Sequence, residues 1–241
     1  MAVAGAITQA MLLIDRLISI IAPHMCIVCA AEGAVLCQNC LVTAGEPPAP
    51  RCVGCKKLSD DFKTCSSCRS WIDIYAVYVA TNYEGVYERL LHEYKFNLRR
   101  QAVVPLAAIM NQITLSAHLN HVVIVPIPTA PARIRQRGFD HGLLLAREFA
   151  KALQLKRGIK VTCKPLLSRR SNNRQLGSSR AQRIRQVHNE FYAKNSNDII
   201  GKTIILTDDV TTTGASLAAA AKTLKNAGAK RVCAVVYAQK V

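Results

Sequence analysis

From about residue 71 onward the chain alternates short apolar runs with longer segments in which apolar positions recur at helical spacing. Residues 75–80, 122–125, 203–207 and 232–237 read as strands; residues 86–92, 103–117, 142–153 and 217–227 read as helices. Gly228, directly after the last of these, supplies a helix C-terminal stop. Strands alternating with crossover helices predict an α/β fold on a parallel sheet.

Two regions depart from that pattern. Residues 2–22 are apolar enough to raise the question of a signal peptide or a membrane span. No Lys or Arg precedes the stretch, Asp15 and Arg16 interrupt it, and Pro23, His24 and Met25 at its end are unsuited to signal cleavage. The expectation is an amphipathic helix over 1–22, with Leu12, Leu13, Leu17, Ile20 and Ile21 near one face, in a cytoplasmic protein with no membrane span. Residues 23–70 carry no apolar period. The division expected is therefore a helix (1–22), a cysteine-rich module (23–70) and an α/β domain (71–241). A chain of 241 residues allows one core of about 150 to 180 residues plus a small appendage that needs a staple.

Cysteine spacing supplies the staple. Eight of the ten cysteines form four C-x-x-C pairs: Cys26/Cys29, Cys37/Cys40, Cys52/Cys55 and Cys65/Cys68. Two residues between cysteines let a tight turn aim both sulfurs at one ion, and a second turn completes a tetrahedron, so two structural Zn²⁺ sites are expected. Sequential and cross-braced pairings use the same eight residues. A lone pair would be ambiguous with a redox motif, but four within one short segment are not, and a reducing compartment disfavours disulfides. Gly45 to Pro50 read as a stiff linker between half-sites. Metal must supply this segment's folding energy. Cys163 and Cys233 stand apart as ordinary apolar residues.

Charge narrows the partners. The formal net charge is +17; eight thiolates and two Zn²⁺ would lower it by four and leave a strongly basic protein. Such a field favours nucleic acid, phosphorylated small molecules or an anionic membrane surface without choosing among them.

The candidate chemistry is densest where the apolar run 203–207 meets Asp208-Asp209-Val210-Thr211-Thr212-Thr213-Gly214-Ala215-Ser216. Ligands sit at that end of a parallel sheet. The hydroxyls of Thr211, Thr212, Thr213 and Ser216, with the N–H groups and field of a helix N-terminus, make a monophosphate cradle. Asp208 and Asp209 would repel that phosphate, so they suit a hydrogen-bond donor such as a ribose 2′,3′-diol. An N-cap role explains one carboxylate but not two. The loop has neither the lysine-bearing P-loop string nor G-x-G-x-x-G, which leaves a sugar with one terminal phosphate. Arg133, Arg135 and Arg137 beside Gly138 suit a pyrophosphate-binding turn or, alternatively, a solvated helix face. Between Lys164 and Glu190 there is no acidic residue, and Arg174, Arg180 and Arg183 there suit an anion-gripping flexible loop or a plain basic surface loop. Tyr94, Lys95 and His141 are candidates for acceptor chemistry by position alone.

Together the strings I-I-L-T-D-D-V-T-T-T-G-A-S, L-L-H-E-Y-K-F, V-P-I-P-T-A-P-A-R-I-R-Q-R-G-F-D-H and N-R-Q-L-G-S-S-R-A-Q-R-I-R-Q, preceded by four C-x-x-C pairs, resemble the ComF family from Met25 onward. The resemblance implies a double zinc ribbon before a type I phosphoribosyltransferase-like sheet. It also implies a site for phosphoribosyl pyrophosphate with Mg²⁺, R-Q-R-G-F beside the pyrophosphate loop, and a role with single-stranded DNA and DNA-uptake proteins in natural transformation. Gln186 stands where the family has asparagine. The rival expectation is an active phosphoribosyltransferase of nucleotide or small-molecule metabolism with no DNA role. Aromatic residues make up only 5% of the chain, which is sparse for a single-strand groove, and Trp71, Tyr75 and Tyr78 read first as core of the leading strand. A glutamine-dependent amidotransferase fragment is disfavoured, because no glutaminase-like segment accompanies the site.

Overall fold

A computed structural model describes residues 23–42, 47–113, 115, 121–158, 160–169 and 190–240. The helix expected over 1–22, linker residues Gly45 and Glu46, and Arg174, Arg180 and Arg183 lie outside them. The strands are β1 (Val77–Asn82), β2 (His121–Pro126), β3 (Lys160–Cys163), β4 (Leu167–Arg169), β5 (Phe191–Ala193), β6 (Thr203–Thr211) and β7 (Arg231–Gln239). Five of them form a parallel sheet in the order β1-β7-β6-β2-β3, and β4 pairs with β5 as an antiparallel ribbon.

A parallel sheet needs cover on both faces, and strand alternation sorts the side chains between them. Tyr78, Ala80, Val122, Ile124, Ile205 and Val235 pack into one core cluster with residues of α3 (Gly85–Lys95), α4 (Val103–Met110) and α6 (His141–Arg157). Val79, Val123, Val125, Ile204, Leu206 and Val236 pack into the other with Leu217, Ala220, Ala221 and Leu224 of α7 (Ala215–Asn226) and with Leu167 and Phe191 of the ribbon. Ile204, Ile205 and Leu206 are fully buried, each contributing about 1.5–3 kcal/mol of apolar burial. This makes β6 the spine of the fold.

The cysteine segment divides between the same two faces. Cys26, Val35 and Leu36, just before α1 (Gln38–Val42), join the first cluster. Cys52, Val53, Ile72 and Cys68 of α2 (Ser66–Arg69) join the second.

The structure departs from the sequence reading in several places. β6 runs on to Thr211, because its outer residues keep pairing with β7, Thr211 opposite Gln239. The α4 helix ends at Met110, and the apolar period persisted past it because Ile113 and Leu115 pack on the same core from turn and coil. Trp71 is not core; it is 66% exposed, while Tyr78 is buried and the Tyr75 ring lies between the Arg69 and Arg231 guanidiniums. The short strand β3 and the ribbon had no foreseen counterpart, whereas α5 (Pro131–Arg137) is the helix that the alternative reading of the arginine run expected. No helix among the described residues is long and apolar enough to cross a membrane.

Candidate functional site

β2 stops at Pro126 opposite Thr207, whereas β6 continues through Asp208 and Asp209. The chain leaves β2 for α6 on one face and leaves β6 for α7 on the other. That divergence is the topological switch point of the sheet, at whose carboxyl end ligands bind in such folds.

The two aspartates at this point have different surroundings. Asp209, with a side chain 12% exposed, places Oδ1 2.7 Å from Lys95 Nζ and Oδ2 3.2 Å from His141 Nε2. Burial opposes its ionisation, but Lys95 and His141 outweigh that and hold the carboxyl well below the usual range. Asp208 forms no ion pair among the described residues; its Oδ1 accepts the Asp209 backbone N–H at 2.9 Å. Burial and the adjacent Asp209 charge push it up to about 7. Paired carboxylates driven apart in this way can hold different protonation states near neutrality.

Lys95 ends α3 and His141 begins α6, so two helices of one face converge on Asp209. The Tyr94 hydroxyl donates to the His141 carbonyl at 2.7 Å, and burial raises its pKa far above the ordinary tyrosine value. It is a strut. The Arg137 guanidinium is buried against the His141 ring, with Nη1 2.8 Å from its nitrogens, and lies over Phe96. Burial lowers its pKa. Arg133 and Arg135 are exposed on α5, so the three arginines do not converge.

The turn after β6 is open on its outer side. Thr211 is buried at the strand end, Thr212 and Thr213 are exposed, and Ser216 is half-buried. Thr213 Oγ1 accepts the Ala215 N–H at 3.3 Å, and no side chain of Gly214 can cap α7. Gly214 takes φ 78°, and a Cβ there would lie 2.6 Å from Val53 Cγ2. Opposite this turn, residues 127–130 are pinned from two sides. Thr129 Oγ1 donates to Asp140, the N-cap of α6, at 2.8 Å. Arg169, paired with Glu190, donates to the Pro128 carbonyl at 3.4 Å. Neither the Lys95–Asp209 pair nor this use of Arg169 was legible beforehand, since the partners lie on separate elements and share no motif.

The sulfurs settle into the sequential sets Cys26/Cys29/Cys37/Cys40 and Cys52/Cys55/Cys65/Cys68, each within 4.8 Å. Cys29–Cys37 and Cys55–Cys65 separations of 3.6 and 3.8 Å match the edge of about 3.8 Å in a tetrahedron with ~2.3 Å metal–sulfur bonds. Burial raises the Cys52 pKa, but N–H groups of Cys55, Cys65 and Gly54 outweigh it and bring the thiol to about 6. Burial and the neighbouring sulfurs push Cys68 up to about 12. Four sulfurs so close can all ionise only around a cation, which is the chemistry of a closed structural zinc site.

The family model of the phosphoribosyl transferase domain matches residues 100–241, more than half of the chain. No curated protein matches the sequence. Among solved structures, glutamine phosphoribosylpyrophosphate amidotransferase from B. subtilis, complexed with ADP and GMP, is 21% identical with a TM-score of 0.36, over 55% of this chain and 25% of that one. A structure described as the allosteric regulatory enzyme of purine biosynthesis is 22% identical with a TM-score of 0.37, over 55% of this chain and 24% of that one. The chain thus spans about a quarter of the length of each. By the match over residues 100–241, the chain belongs to the phosphoribosyl transferase domain family.

Proposed function

We propose that this chain binds phosphoribosyl pyrophosphate, or a related ribose 5-phosphate, at the carboxyl end of β6. The carrying observation is the order of groups there: two aspartates, then an exposed threonine turn, then the N-terminus of a twelve-residue helix. Asp208 and Asp209 accept from the ribose hydroxyls, with Asp209 oriented by Lys95 and His141. The phosphate lies against the hydroxyls and N–H groups of residues 211–216, chiefly the exposed Thr212 and Thr213. Arg133 and Arg135, with Arg174, Arg180 and Arg183 of the basic loop, draw the pyrophosphate; Arg137 acts through His141. Asp208, an oxygen donor without an ion-pair partner among the described residues, fits a Mg²⁺ shared with the ligand's phosphates, which would neutralise charge as pyrophosphate departs. Holding the ring by its hydroxyls supports an oxocarbenium-like transition state at C1 if an acceptor is present.

The finer reading follows the ComF resemblance: a cytoplasmic competence protein with an N-terminal amphipathic helix, two structural zinc ions and a role with imported single-stranded DNA. A separate observation supports a polyanionic partner. Arg69, Lys225, Lys230 and Arg231, against a single carboxylate, Asp73, line an open surface hollow of about 230 Å³ beside Tyr75. DNA affinity falling steeply with salt would bear this out; an active metabolic transferase with no DNA role is the reading if it fails.

Thermal unfolding with phosphoribosyl pyrophosphate and Mg²⁺ tests the site. Wild type should gain stability with ligand, and Asp208→Asn with Asp209→Asn should lose that gain; a double variant that keeps it overturns the assignment. The pH dependence has a definite sign. Asp208 rises from 3.8 to about 7 on folding, so the folded state keeps a proton that the unfolded chain releases between those values, and stability falls as pH rises through that window. Asp208→Asn alone should therefore melt a few degrees higher than wild type at pH 8, with the difference gone near pH 4. Ligand binding, which needs the ionised carboxylate, should strengthen as pH rises through 7.

A further inference from the structure

We propose that the second cysteine knuckle is part of the phosphate site: Lys56 supplies a cation to the ligand's phosphate, and metal in the Cys52/Cys55/Cys65/Cys68 set holds the 211–216 turn in its binding shape. The inference rests on the reading of that turn given above and adds a residue and a control to it.

Lys56 directly follows the metal ligand Cys55, and its Nζ donates to the Thr212 carbonyl at 3.3 Å across 156 positions of sequence. An ammonium has three donors. One is spent on the carbonyl, which leaves the others beside the exposed Thr212 and Thr213. The turn has no lysine of its own, and a lone phosphate on hydroxyls and N–H groups gains from a compact cation. The knuckle provides one from outside the matched domain.

Its placement depends on the knuckle's geometry. Lys56 sits at φ 62°, a left-handed conformation that non-glycine residues avoid. Its N–H donates to the Cys52 carbonyl at 2.9 Å, and its own carbonyl accepts from Arg51 Nη1 at 3.0 Å. One residue after Cys52, Val53 presses on Gly214, the N-cap of α7, so closely that no Cβ would fit. The knuckle thus touches the turn twice, once with charge at Thr212 and once with shape at Gly214. With no metal, the four-sulfur turn loses its organising centre, and both contacts loosen together.

Calorimetry with phosphoribosyl pyrophosphate and Mg²⁺, and amide hydrogen exchange across 211–216, decide the matter. Lys56→Ala, an exposed change, should weaken binding about fivefold or more and flatten its salt dependence, and Lys56→Arg should restore part of the loss. Cys55→Ser, with one zinc retained by metal analysis, should speed exchange at residues 212–216 in the absence of ligand. Wild-type affinity in Lys56→Ala overturns the cation role, and unchanged exchange in Cys55→Ser overturns the coupling. Failure of wild type to bind the ligand overturns the reading of the turn and the cation role with it, while the exchange measurement still decides the coupling.

Discussion

The two cysteine knuckles share ligand type, C-x-x-C pairs and sulfur geometry, yet they lie on opposite faces of the sheet and touch different things. The first meets the helical face: Cys26, Val35 and Leu36 enter the core with Tyr78 and Leu90, and the Ile27 carbonyl accepts from Arg89 of α3 at 2.7 Å. The second meets the face of α7, with Val53 against Gly214 and Lys56 on Thr212. Equal chemistry in the metal sites therefore does not mean equal roles. What a structural ion stabilises is set by the residues next to its ligands, and among the described contacts it is the second knuckle that reaches the 211–216 turn, proposed above to hold the phosphate.

The largest expected effect comes from breaking each metal set through an exposed ligand. Cys29→Ser and Cys55→Ser each remove one thiolate without opening the core. Each should release one zinc and lower stability by roughly 3 kcal/mol or more, since ion binding is coupled to folding. Their ligand affinities should part: Cys29→Ser close to wild type in calorimetry, Cys55→Ser weaker by about tenfold or more. Equal losses would erase the distinction between the knuckles.

The contrast also explains what could be read from sequence. C-x-x-C spacing and the D-D-V-T-T-T-G-A-S string are local: each places its groups through a few bonds, so the sulfur clusters and the turn after β6 were legible. Strands β2, β6 and β7 were legible for a similar reason, since their apolar runs serve both faces of a covered sheet. Contacts between segments were not. Lys56 meets Thr212, and Lys95 meets Asp209, through folding of the whole chain, and no periodicity carries that information. Arg137 misled for a related reason: its neighbours on α5 are solvated, but Gly138 at φ 71° ends the helix and the chain turns the guanidinium onto His141. A run of similar residues does not imply a shared direction.

A smaller effect sharpens the comparison through two glycines in left-handed backbone. Gly33 of the first knuckle, at φ 108°, has open space where a Cβ would go, whereas Gly214 faces Val53 Cγ2 at 2.6 Å. Gly33→Ala should cost only conformational strain, about 1–2 kcal/mol. Gly214→Ala should cost that and a steric term besides, measurable in chemical denaturation. Val53→Ala should recover the steric part but not the strain. If Val53→Ala recovers nothing, the knuckle does not press on the turn.

The smallest expected effect is the control on which the comparison turns. Arg89→Ala removes the bond to the Ile27 carbonyl, and Lys56→Ala removes the bond to the Thr212 carbonyl; both are exposed side-chain donors to a backbone oxygen. As hydrogen bonds they are alike, so each loss should lower stability by less than about 1 kcal/mol, near the limit of a denaturation curve. Stability alone cannot tell them apart. Ligand affinity can, because Arg89 tethers the first knuckle to α3, far from the turn in the order of contacts, while Lys56 keeps donors free beside it. Arg89→Ala should leave the dissociation constant for phosphoribosyl pyrophosphate within about twofold of wild type. A larger change would mean that the ligand site senses the first knuckle as well, through the helices that carry Lys95 and His141 to Asp209.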